Sequence, residues 1–509
     1  MNRKILALLL AFAALALLVW SLRPFKTTGG ASLVVYCAAG LKKPVEDVAK
    51  QYESEFGVKV DLQYGGSGTL LSQIRVAKQG DLFIAADDGL LADARKLDAI
   101  REVLPLAVQR PVIAVAKGNP KGIRGLDDLM KAEIKVALPN PEAASVGKVA
   151  KKLLGSRWDA LAVKASVMKP TVTEVAADLS LNAVDAALVW DSTVPQFKAT
   201  EAVEMPELSS HEEPASVAVL SFCAQSPEAL KFARYLAAPD RGGAVFQKHG
   251  FKPAGGDPWA VKPEMILYSG GVNRPAIEKL VQEFANREGI TVTTVFNGCG
   301  ILCASMKAME DASNPKFPDA YYACDVCFVP PVAEHFPEAV MLTETEIVIA
   351  VPKGNARNIK TLADLAQPGL KLGLCNAQQS TLGFMTQAIL KTSNLYDSVT
   401  KNVVVQVPTA DFLVNQMRAG ALDAAIVYLV NVQQVRDHFD VIALPADKAK
   451  AVQPFAVRHN SPNKHLSQRL LTYLKAHKES FEEAGFLWTG DATPVASDKL
   501  EIPPWLKQP

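Results

Sequence analysis

The fold is decided by a stretch from Leu33 to Asp87, which opens with LVVYCAAGLKKPVEDVAKQYESEFGVKVDLQYGGSG. Its apolar start, ending in YCAAG at Gly40, predicts a β-strand, and apolar residues at helical spacing then predict a helix to Phe56. Residues 58–64 predict a second strand, followed by the turn GGSG, another helix and a third strand that closes on Asp87. Strands that alternate with helices at this density predict a parallel sheet with right-handed crossovers.

The same order of elements occurs a second time along the chain. Tyr36 corresponds to Tyr268 and Ser67 to Cys299, both a shift of 232 positions. The second copy opens with YSGG at 268–271 and predicts a helix to Phe284 and a strand over 290–296. It continues with the turn NGCG and a strand that closes on Asp325. Self-similarity at so long a period indicates a tandem duplication of a whole domain.

Four later segments also match between the two copies, in the same order. They are residues 111–120 with 346–355, 125–129 with 361–365, 138–140 with 374–376, and 184–190 with 422–428. Each copy closes with an apolar helical segment, and the Gly- and Pro-rich residues 253–263 between the copies are typical of a linker.

Length and composition narrow the function classes. At 509 residues the chain is too long for one hydrophobic core and suits two domains. A hydrophobic content of 49% with a charged content of 21% is typical of a globular protein. The net charge of +1 argues against nucleic acid or an acidic membrane surface as the main partner.

The N-terminus has the pattern of an export signal. Arg3 and Lys4 precede an almost purely apolar run over residues 5–20, and Arg23 follows it. Because no small-x-small cleavage site follows cleanly, we expect an uncleaved anchor helix in the cytoplasmic membrane, with a cleaved signal as the alternative. Residues 1–31 are then the signal or anchor segment with its tether, and the rest of the chain lies in the periplasm.

Five motifs recur in both copies in a fixed order. They are Tyr-x-Ala-Ala, Gly-x-Ser-Gly, Ala-Ala-Asp, Val-x-Lys-Gly-Asn-Pro and Asp-Ala-x-Leu/Ile-Val-Trp/Tyr, some of them modified in the second copy. With this order of segments, the chain after residue 32 resembles the periplasmic substrate-binding proteins of ABC transporters, specifically the molybdate- and tungstate-binding family.

The resemblance implies an architecture. It is an α/β fold of two tandem periplasmic-binding-protein (type II) domains, each of two α/β lobes around a central cleft, after the N-terminal apolar helix. The first domain is expected over 32–258, here called repeat one, and the second over 264–490, called repeat two, with 491–509 as a C-terminal tail. In repeat one the lobes are expected at about 32–107 with 212–258, and at about 108–211.

The resemblance also implies which residues contact an oxyanion. In repeat one they are Gly40, Ser67, Val146, Val172 and Trp190, and in repeat two they are Val272, Cys299, Leu382, Ala410 and Tyr428. Strand-to-helix turns direct the free N–H groups of helix starts towards the carboxyl ends of the strands, where they bind oxyanions by hydrogen bonds and the helix dipole. The Gly-rich turns allow the backbone to approach a ligand closely.

Neither repeat keeps the whole set of donors that the family uses. The family's first serine is absent from both, since Gly40 and Val272 stand in its place. Ser67 keeps a hydroxyl, whereas the thiol of Cys299 is a weak donor. The aromatic position holds an indole N–H in repeat one and a phenol in repeat two.

Repeat two contains five of the seven cysteines: Cys299, Cys303, Cys324, Cys327 and Cys375. Their positions near strand ends predict that they face the cleft side. Disulfides are one interpretation, because an exported protein reaches an oxidising compartment. A thiolate site for zinc or an iron–sulfur cluster is a second, and separate small buried residues are a third.

The leading interpretation is therefore a binding protein that captures a small oxyanion, with molybdate or tungstate favoured, and passes it to an ABC transporter permease. The alternatives are another oxyanion, a chelated metal, or a thiol redox protein that uses Cys324 and Cys327. Two prolines soon after this pair prevent the helix that such redox pairs open. No Ser-His-Asp set, metalloprotease motif or phosphate-binding loop occurs, so we expect no enzyme, no cofactor and no nucleic acid.

The anchor prediction is tested on protein made in its own cells. We expect the mature chain to retain residues 5–20 and to sediment with membranes, because a basic start before an apolar run orients such a segment. N-terminal sequencing of the fractionated protein measures this. A released chain that begins near residue 25 would show that the signal is cleaved and that the anchor prediction is wrong.

Overall fold

The computed structural model describes residues 32–309, 314–445 and 449–500. The predicted anchor over residues 5–20 and the end of the C-terminal tail lie outside the described residues. Within the described ranges, no helix is long and apolar enough to cross a membrane.

The strands of repeat one alternate with its helices, as expected. The strands are β1 (Ser32–Ala38), β2 (Lys59–Gly65), β3 (Leu82–Ala85), β4 (Ile100–Gln109), β5 (Pro111–Ala116), β6 (Val136–Pro139), β7 (Val167–Lys169), β8 (Ala186–Trp190), β9 (Thr200–Val203), β10 (Glu213–Leu220) and β11 (Lys252–Pro253). The helices are α1 (Lys42–Phe56), α2 (Ser67–Ala77), α3 (Asp88–Lys96), α4 (Leu126–Leu129), α5 (Ser145–Leu154), α6 (Ser156–Lys164), α7 (Val172–Ser180), α8 (Pro206–Ser209), α9 (Ser226–Ala237) and α10 (Ala244–Lys248).

Repeat two shows the same alternation of strands and helices, with one long strand, Glu338–Pro352, in its middle. Its strands are β12 (Glu264–Gly270), β13 (Thr291–Asn297), β14 (Ala320–Tyr322), β15 (Glu338–Pro352), β16 (Leu372–Cys375), β17 (Val403–Val407), β18 (Ala424–Tyr428), β19 (Phe439–Ala443), β20 (Lys450–Val457), β21 (Leu487–Trp488) and β22 (Val495–Ala496). Its helices are α11 (Arg274–Glu288), α12 (Cys299–Ala308), α13 (Thr381–Thr392), α14 (Tyr396–Thr400), α15 (Ala410–Arg418), α16 (Leu429–Gln433), α17 (Lys464–Lys475) and α18 (Lys478–Glu483).

The first helix of each repeat follows directly from its sequence pattern. In α1 the apolar residues at helical spacing are buried, and the helix ends at Phe56 as predicted, because Gly57 adopts a φ of 67°. Helix α11 ends in the same way at Gly289, also with a φ of 67°. It runs one turn beyond the predicted end at Phe284, because Glu288 is buried and continues the helix.

The duplication is visible in the strand register. Strand β1 pairs in parallel with β2 from Ser32↔Lys59 onward, and β12 pairs in parallel with β13 from Glu264↔Thr291 onward. Each residue of the second pair lies 232 positions after its counterpart. The third strand of each repeat also pairs in parallel with the first. This confirms the predicted strand–helix–strand units at the start of both repeats.

The sheets are mixed, so the expectation of a parallel sheet is only partly right. Strand β5 runs antiparallel to both β8 and β9, and β15 runs antiparallel to β18, β19 and β20. The 15-residue β15 is long enough to pair with both β18 and β20, whereas the six-residue β5 lies within one five-stranded sheet. The sequence pattern of alternating strands and helices does not encode these antiparallel pairings.

The described chain packs as two compact units. The first holds described residues up to 99, 109–213 and 220–223, with the five-stranded sheet β7-β6-β8-β5-β9 and its own hydrophobic core. The second holds residues 100–108, 214–219 and everything described from 224 onward, including all of repeat two. Its core is continuous around β12, β15 and β18.

A buried carboxylate cross-links three helices of the second unit. Glu288, 1% exposed at its side chain, ends α11 and accepts hydrogen bonds from Arg469 of α17 at 2.7 and 3.1 Å. Arg234 of α9 donates to the Glu288 carboxylate at 3.0 Å and to its backbone carbonyl at 2.8 Å. Burial opposes ionisation of Glu288, but the two guanidinium groups outweigh it and hold its pKa below the usual value.

Replacing Glu288 with alanine should lower the free energy of unfolding by about 3–5 kcal/mol, because two buried arginines then lose their counter-charge. Urea denaturation of the full chain measures this. The control is Glu278→Gln on the same helix, where an exposed carboxylate pairs with Arg274 at 3.7 Å and the expected cost is below about 1 kcal/mol. Equal costs for the two variants would contradict the assigned role.

Candidate functional site

Several helices of repeat one begin around one point between the lobes. Leu41, Gly66 and Ala144, which precede α1, α2 and α5, make no side-chain hydrogen bond to these helix starts within the described chain. The start of α7 is different, since the Thr171 hydroxyl accepts the N–H of Glu174 at 3.2 Å. First-turn N–H groups have no partner inside a helix, so the uncapped starts leave donors for an external acceptor.

The cavity at this point is the first cleft. Its wall includes all five residues predicted to contact an oxyanion in repeat one, namely Gly40, Ser67, Val146, Val172 and Trp190. Within the described residues, no charged side chain lines it. Its volume of about 20 Å³ leaves room for little more than one water molecule. The lobes therefore have to separate before a larger anion can enter.

The glycines of the GGSG turn serve the contact between lobes. A Cβ at Gly66 would collide with the carbonyl oxygens of Ala143 and Pro170, and one at Gly68 with that of Glu142. The N–H of Gly68 donates to Ala143 O at 2.9 Å. The close backbone approach expected from the sequence is thus made to the opposite lobe, and Gly298 and Gly300 do the same in repeat two.

In repeat one the position of the family's first serine is tightly packed. A Cβ at Gly40 would lie 3.0 Å from Val172 Cγ1 and 3.9 Å from Trp190 Cδ1. In repeat two the larger residue stands at the first of these two positions, Val272, and the smaller one at the second, Ala410. Each cleft therefore has a valine at one of the two positions and no hydroxyl where the family has its first serine.

The second cleft is built from the matching elements of repeat two. Its wall includes four of the five predicted residues, Val272, Leu382, Ala410 and Tyr428, and its volume is about 10 Å³. As in the first cleft, no charged side chain lines it within the described residues. The fifth predicted residue, Cys299, is fully buried and does not reach this wall.

The helix starts of repeat two are also uncapped. Gly298, Ser380 and Thr409 precede α12, α13 and α15, and none makes a side-chain hydrogen bond to its helix start in the described part of the chain. The hydroxyl of Tyr428 is buried without a partner among the described residues. Burial raises its pKa well above the usual value, so it stays a neutral donor. The second cleft thus offers donors to an anion.

The sequence profile of the bacterial extracellular solute-binding proteins matches the chain twice, over residues 33–252 and 266–487. The chain belongs to this family. Its members are binding proteins that act outside the cytoplasm, and this chain carries two copies of the family's domain.

Curated relatives match about one repeat's length of the chain. A protein of Haemophilus influenzae, named only as a binding protein, is 31% identical over 228 residues, which are 44% of this chain and 92% of that one. The molybdate-binding protein ModA of Mycobacterium bovis is 26% identical over 231 residues, 44% of this chain and 86% of the relative. ModA of Escherichia coli is 28% identical over 230 residues, 43% of this chain and 88% of the relative.

Solved structures of similar proteins also cover about half of the chain. The periplasmic molybdate-binding protein of Azotobacter vinelandii shares 16% identity with a TM-score of 0.38, over 43% of this chain and 98% of that one. The sulfate-binding protein SubI of Mycobacterium tuberculosis shares 16% identity with a TM-score of 0.39, over 52% and 94%.

The five cysteines of repeat two are thiols in the structure and do not form one cluster. Cys324 alone of the five lines the second cleft, and its sulfur lies 2.6 Å from that of Cys299. Cys303 instead contacts the Tyr321 hydroxyl at 3.7 Å and the Phe328 carbonyl at 3.3 Å. Within the described residues, no three His, Cys, Asp or Glu side chains are grouped to hold a metal ion. The disulfide interpretation stays a prediction.

Two hydroxyls at the clefts were not expected from the sequence. Ser145 lines the first cleft, and its buried hydroxyl opposes the rise in the pKa of Asp87 that burial causes. Thr381 holds the matching first position of α13, where its buried hydroxyl acts on the thiols of Cys299 and Cys324. Their position one residue before Val146 and Leu382, at helix starts preceded by the matched 138–140 and 374–376 segments, is the signal that could have found them.

A buried aspartate caps the segment after the third strand in each repeat. Asp87 accepts the N–H of Leu90 at 2.8 Å, and Asp325 accepts those of Cys327 at 3.1 Å and Val452 at 2.9 Å. Burial raises the pKa of both carboxyls, that of Asp325 to about 6. Neither lines its cleft.

A cavity of about 350 Å³ in the second unit is a separate feature. It is lined by the linker around Trp259 and by residues of α9 and α17, including Arg234 and Arg469. Both arginines already bind Glu288. Both guanidinium groups are thus engaged by this one carboxylate, and the cavity lacks the converging helix starts of the two clefts.

Replacing Asp325 with asparagine should remove a pH dependence of stability. The pKa of this carboxyl is about 3.9 in the unfolded chain and about 6 in the folded one. Its contribution to the free energy of unfolding is therefore complete below about pH 4 and is lost as the pH rises through about 6. We expect the unsubstituted protein to lose about 3 kcal/mol over this interval and the variant to lose little. Urea denaturation at several pH values measures it.

Asp364→Asn is the control, because the pKa of Asp364 is shifted in the direction opposite to that of Asp325. Backbone N–H groups of Lys360 and Thr361 hold the pKa of this exposed carboxyl below its usual value. Its contribution to stability is present above the unfolded pKa and lost as the pH falls below about 4. If Asp325→Asn keeps the slope between pH 4 and 6, the assignment to Asp325 is wrong.

Proposed function

We propose that this protein captures a tetrahedral oxyanion, such as molybdate or tungstate, in each of its two clefts and delivers it to an ABC transporter permease. The observation that carries this proposal is the set of uncapped helix starts around each cleft. Such starts bind an anion through backbone N–H groups and the helix dipole, without a formal positive charge.

The neutral lining of the clefts supports an anion over a cation. A bound metal cation requires carboxylate, imidazole or thiolate ligands, and the described walls hold no carboxylate or imidazole. Lys43, a cation near the first helix start, is occupied elsewhere, since its ammonium donates to the Gln196 carbonyl at 3.0 Å. The chelated-metal alternative therefore has less support.

The relatives support the choice of molybdate as the first ligand to test. The ModA proteins that match one repeat's length of this chain are named as molybdate-binding. Tungstate is a tetrahedral oxyanion of the same charge and similar shape, so we include it in the proposal. Sulfate is the smaller tetrahedral oxyanion to test beside them.

The two clefts should differ in affinity. Ser67 is 2% exposed and its oxygen accepts the N–H of Ala86 at 3.3 Å, which leaves the hydroxyl proton for a ligand. A hydroxyl donating to an anion makes a charge-assisted hydrogen bond, whereas the thiol at the matching Cys299 is a weak donor. Repeat one is therefore proposed as the tighter site, although Trp190 makes its wall bulkier than that of Tyr428.

Ligand capture requires each pair of lobes to open and close. Closure brings the GGSG turn against the carbonyls of the opposite lobe, where Gly68 donates to Ala143. The salt bridge between Lys148 and Asp93, at 2.6 Å, joins the same two lobes. Hinge closure around a ligand is the known motion of periplasmic binding proteins.

The thiol redox alternative has little support. Cys327 lies in a single 3-10 turn, Val326–Phe328, and a second such turn over Pro330–Val332 follows, so no α-helix opens at this pair. The sulfur that meets Cys324 belongs to Cys299 and not to Cys327. We propose a binding protein without catalytic activity, held at the outer face of the cytoplasmic membrane by residues 5–20.

Removing the hydroxyl of Ser67 as Ser67→Ala should weaken oxyanion binding to the first cleft by roughly ten- to a hundred-fold, or about 1.5–3 kcal/mol, because a donor to a charged group is lost. Cys299→Ala should have a smaller effect on the second cleft. Isothermal titration calorimetry of the full chain with molybdate, tungstate and sulfate gives both affinities and the stoichiometry.

The matched control is Ser72→Ala on the same helix, since the Ser72 hydroxyl is exposed and bonds to the Gly68 carbonyl at 3.0 Å. We expect unchanged affinity for this variant. Saturable binding confined to repeat two would reverse the proposed ranking of the clefts. No binding of any of the three anions at either cleft would disprove the ligand class.

A further inference from the structure

Two sulfurs at the second cleft, one in its wall and one buried behind it, lie almost within bonding distance. Cys299 Sγ and Cys324 Sγ are 2.6 Å apart, with both residues buried. A disulfide bond has a length of about 2.05 Å, whereas non-bonded heavy atoms at their best contact are about 3.5–4 Å apart. The two side chains therefore already point at each other from adjoining elements, the start of α12 and the end of β14.

The first cleft has the same backbone arrangement without sulfur. There the N–H of Ala86 donates to Ser67 Oγ at 3.3 Å, and in the second cleft the N–H of Cys324 donates to Cys299 Sγ at 3.0 Å. The matched positions thus hold serine and alanine in repeat one and two cysteines in repeat two. Both positions of this contacting pair hold a thiol in repeat two, and neither does in repeat one.

A third position makes room for the sulfur pair. A Cβ added at Gly270 would collide with Cys324 Sγ. The matching residue of repeat one is Ala38, and the position that matches Cys324 holds the much smaller Ala86. The thiol of Cys324 thus occupies space that a side chain at position 270 would need. The glycine at this position lets the wall accommodate the sulfur.

We propose that Cys299 and Cys324 form a reversible disulfide in the wall of the second cleft, and that its formation strengthens oxyanion binding there. The first part stands on the geometry alone. The second part rests on the proposed function of the cleft.

The oxidant is a low-molecular-weight disulfide that enters when the lobes open. The Cys299 thiolate accepts the proton of Cys324, which lies at the cleft wall. The Cys324 thiolate attacks one sulfur of this disulfide, and the leaving thiolate takes the proton back from Cys299. The Cys299 thiolate then attacks Cys324 Sγ, forms the Cys299–Cys324 bond and releases the second thiolate, which takes a proton from solvent. Two electrons pass from the cysteines to the oxidant, and a dithiol reductant reverses the exchange.

The effect on binding comes from charge. Burial opposes ionisation of the reduced Cys299, but hydrogen bonds from Cys324 and Tyr321 outweigh it and lower its pKa. A lower pKa raises the fraction of Cys299 that is ionised at a given pH. This charge lies at the start of α12, 2.6 Å from the Cys324 sulfur in the cleft wall, so it repels an anion in the cleft. The disulfide is neutral and removes this repulsion. Repeat one has no such charge, because Ser67 does not ionise.

The first experiment maps the bond. The full chain is treated with oxidised glutathione, free thiols are alkylated, and peptides are identified by mass spectrometry with and without prior reduction. We expect a peptide pair that links Cys299 to Cys324, with Cys303 and Cys375 alkylated only after unfolding. Free thiols at both positions, or a different partner for either, would overturn the pairing.

The second experiment measures molybdate binding to the oxidised and reduced full chain by calorimetry. We expect about tenfold tighter binding at the second cleft after oxidation and no change at the first cleft. Cys299→Ser with Cys324→Ala, which copies repeat one, should make the second cleft insensitive to oxidation. A linked pair with equal affinities in both states would overturn the coupling.

A further outcome separates this inference from the proposed function. If the linked peptide forms and neither cleft binds molybdate, tungstate or sulfate in either redox state, the oxyanion function fails and the coupling fails with it. The Cys299–Cys324 pairing would still be established, because peptide mapping does not depend on any ligand.

Discussion

Backbone N–H groups at helix starts are the constraint on which this structure depends. A helix leaves its first N–H groups without internal partners, and a buried donor without an acceptor costs free energy. In both repeats these starts meet around a small cleft, and most of them carry no side-chain cap within the described chain. An anion is a suitable acceptor for such donors, although the N–H of Gly68 in α2 already donates to Ala143 O at 2.9 Å.

Closure of the clefts depends on the absence of side chains at a few positions. Gly66, Gly68, Gly298 and Gly300 let the backbone of one lobe reach carbonyl oxygens of the other. Gly40, at the position of the family's first serine, is packed in a similar way, because a Cβ there would lie 3.0 Å from Val172 Cγ1. In the first cleft, the position that lacks the serine hydroxyl therefore lies against the side chain that fills the space, Val172. In such a cleft, ligand preference cannot be separated from how tightly the lobes fit.

The two repeats have the same register but different chemistry. Repeat one keeps a serine hydroxyl at the start of α2, whereas repeat two holds a pair of thiols at the matching place. The compact units also differ from the repeats, because α9 of repeat one is tied to α11 and α17 through Glu288. The two copies thus share their strand pairing and differ in the side chains at this position.

The sequence alone determined the duplication, the strand–helix–strand units and the family, because regular spacing of apolar residues and short motifs act locally. It also indicated the turns at Ser67 and Cys299. The antiparallel pairings of β5 and β15, the position of the Ser145 hydroxyl at the first cleft and the meeting of Cys299 with Cys324 were decided only by the tertiary structure. These features join residues far apart in the chain, and their geometry depends on how the strands pair, which no local pattern records.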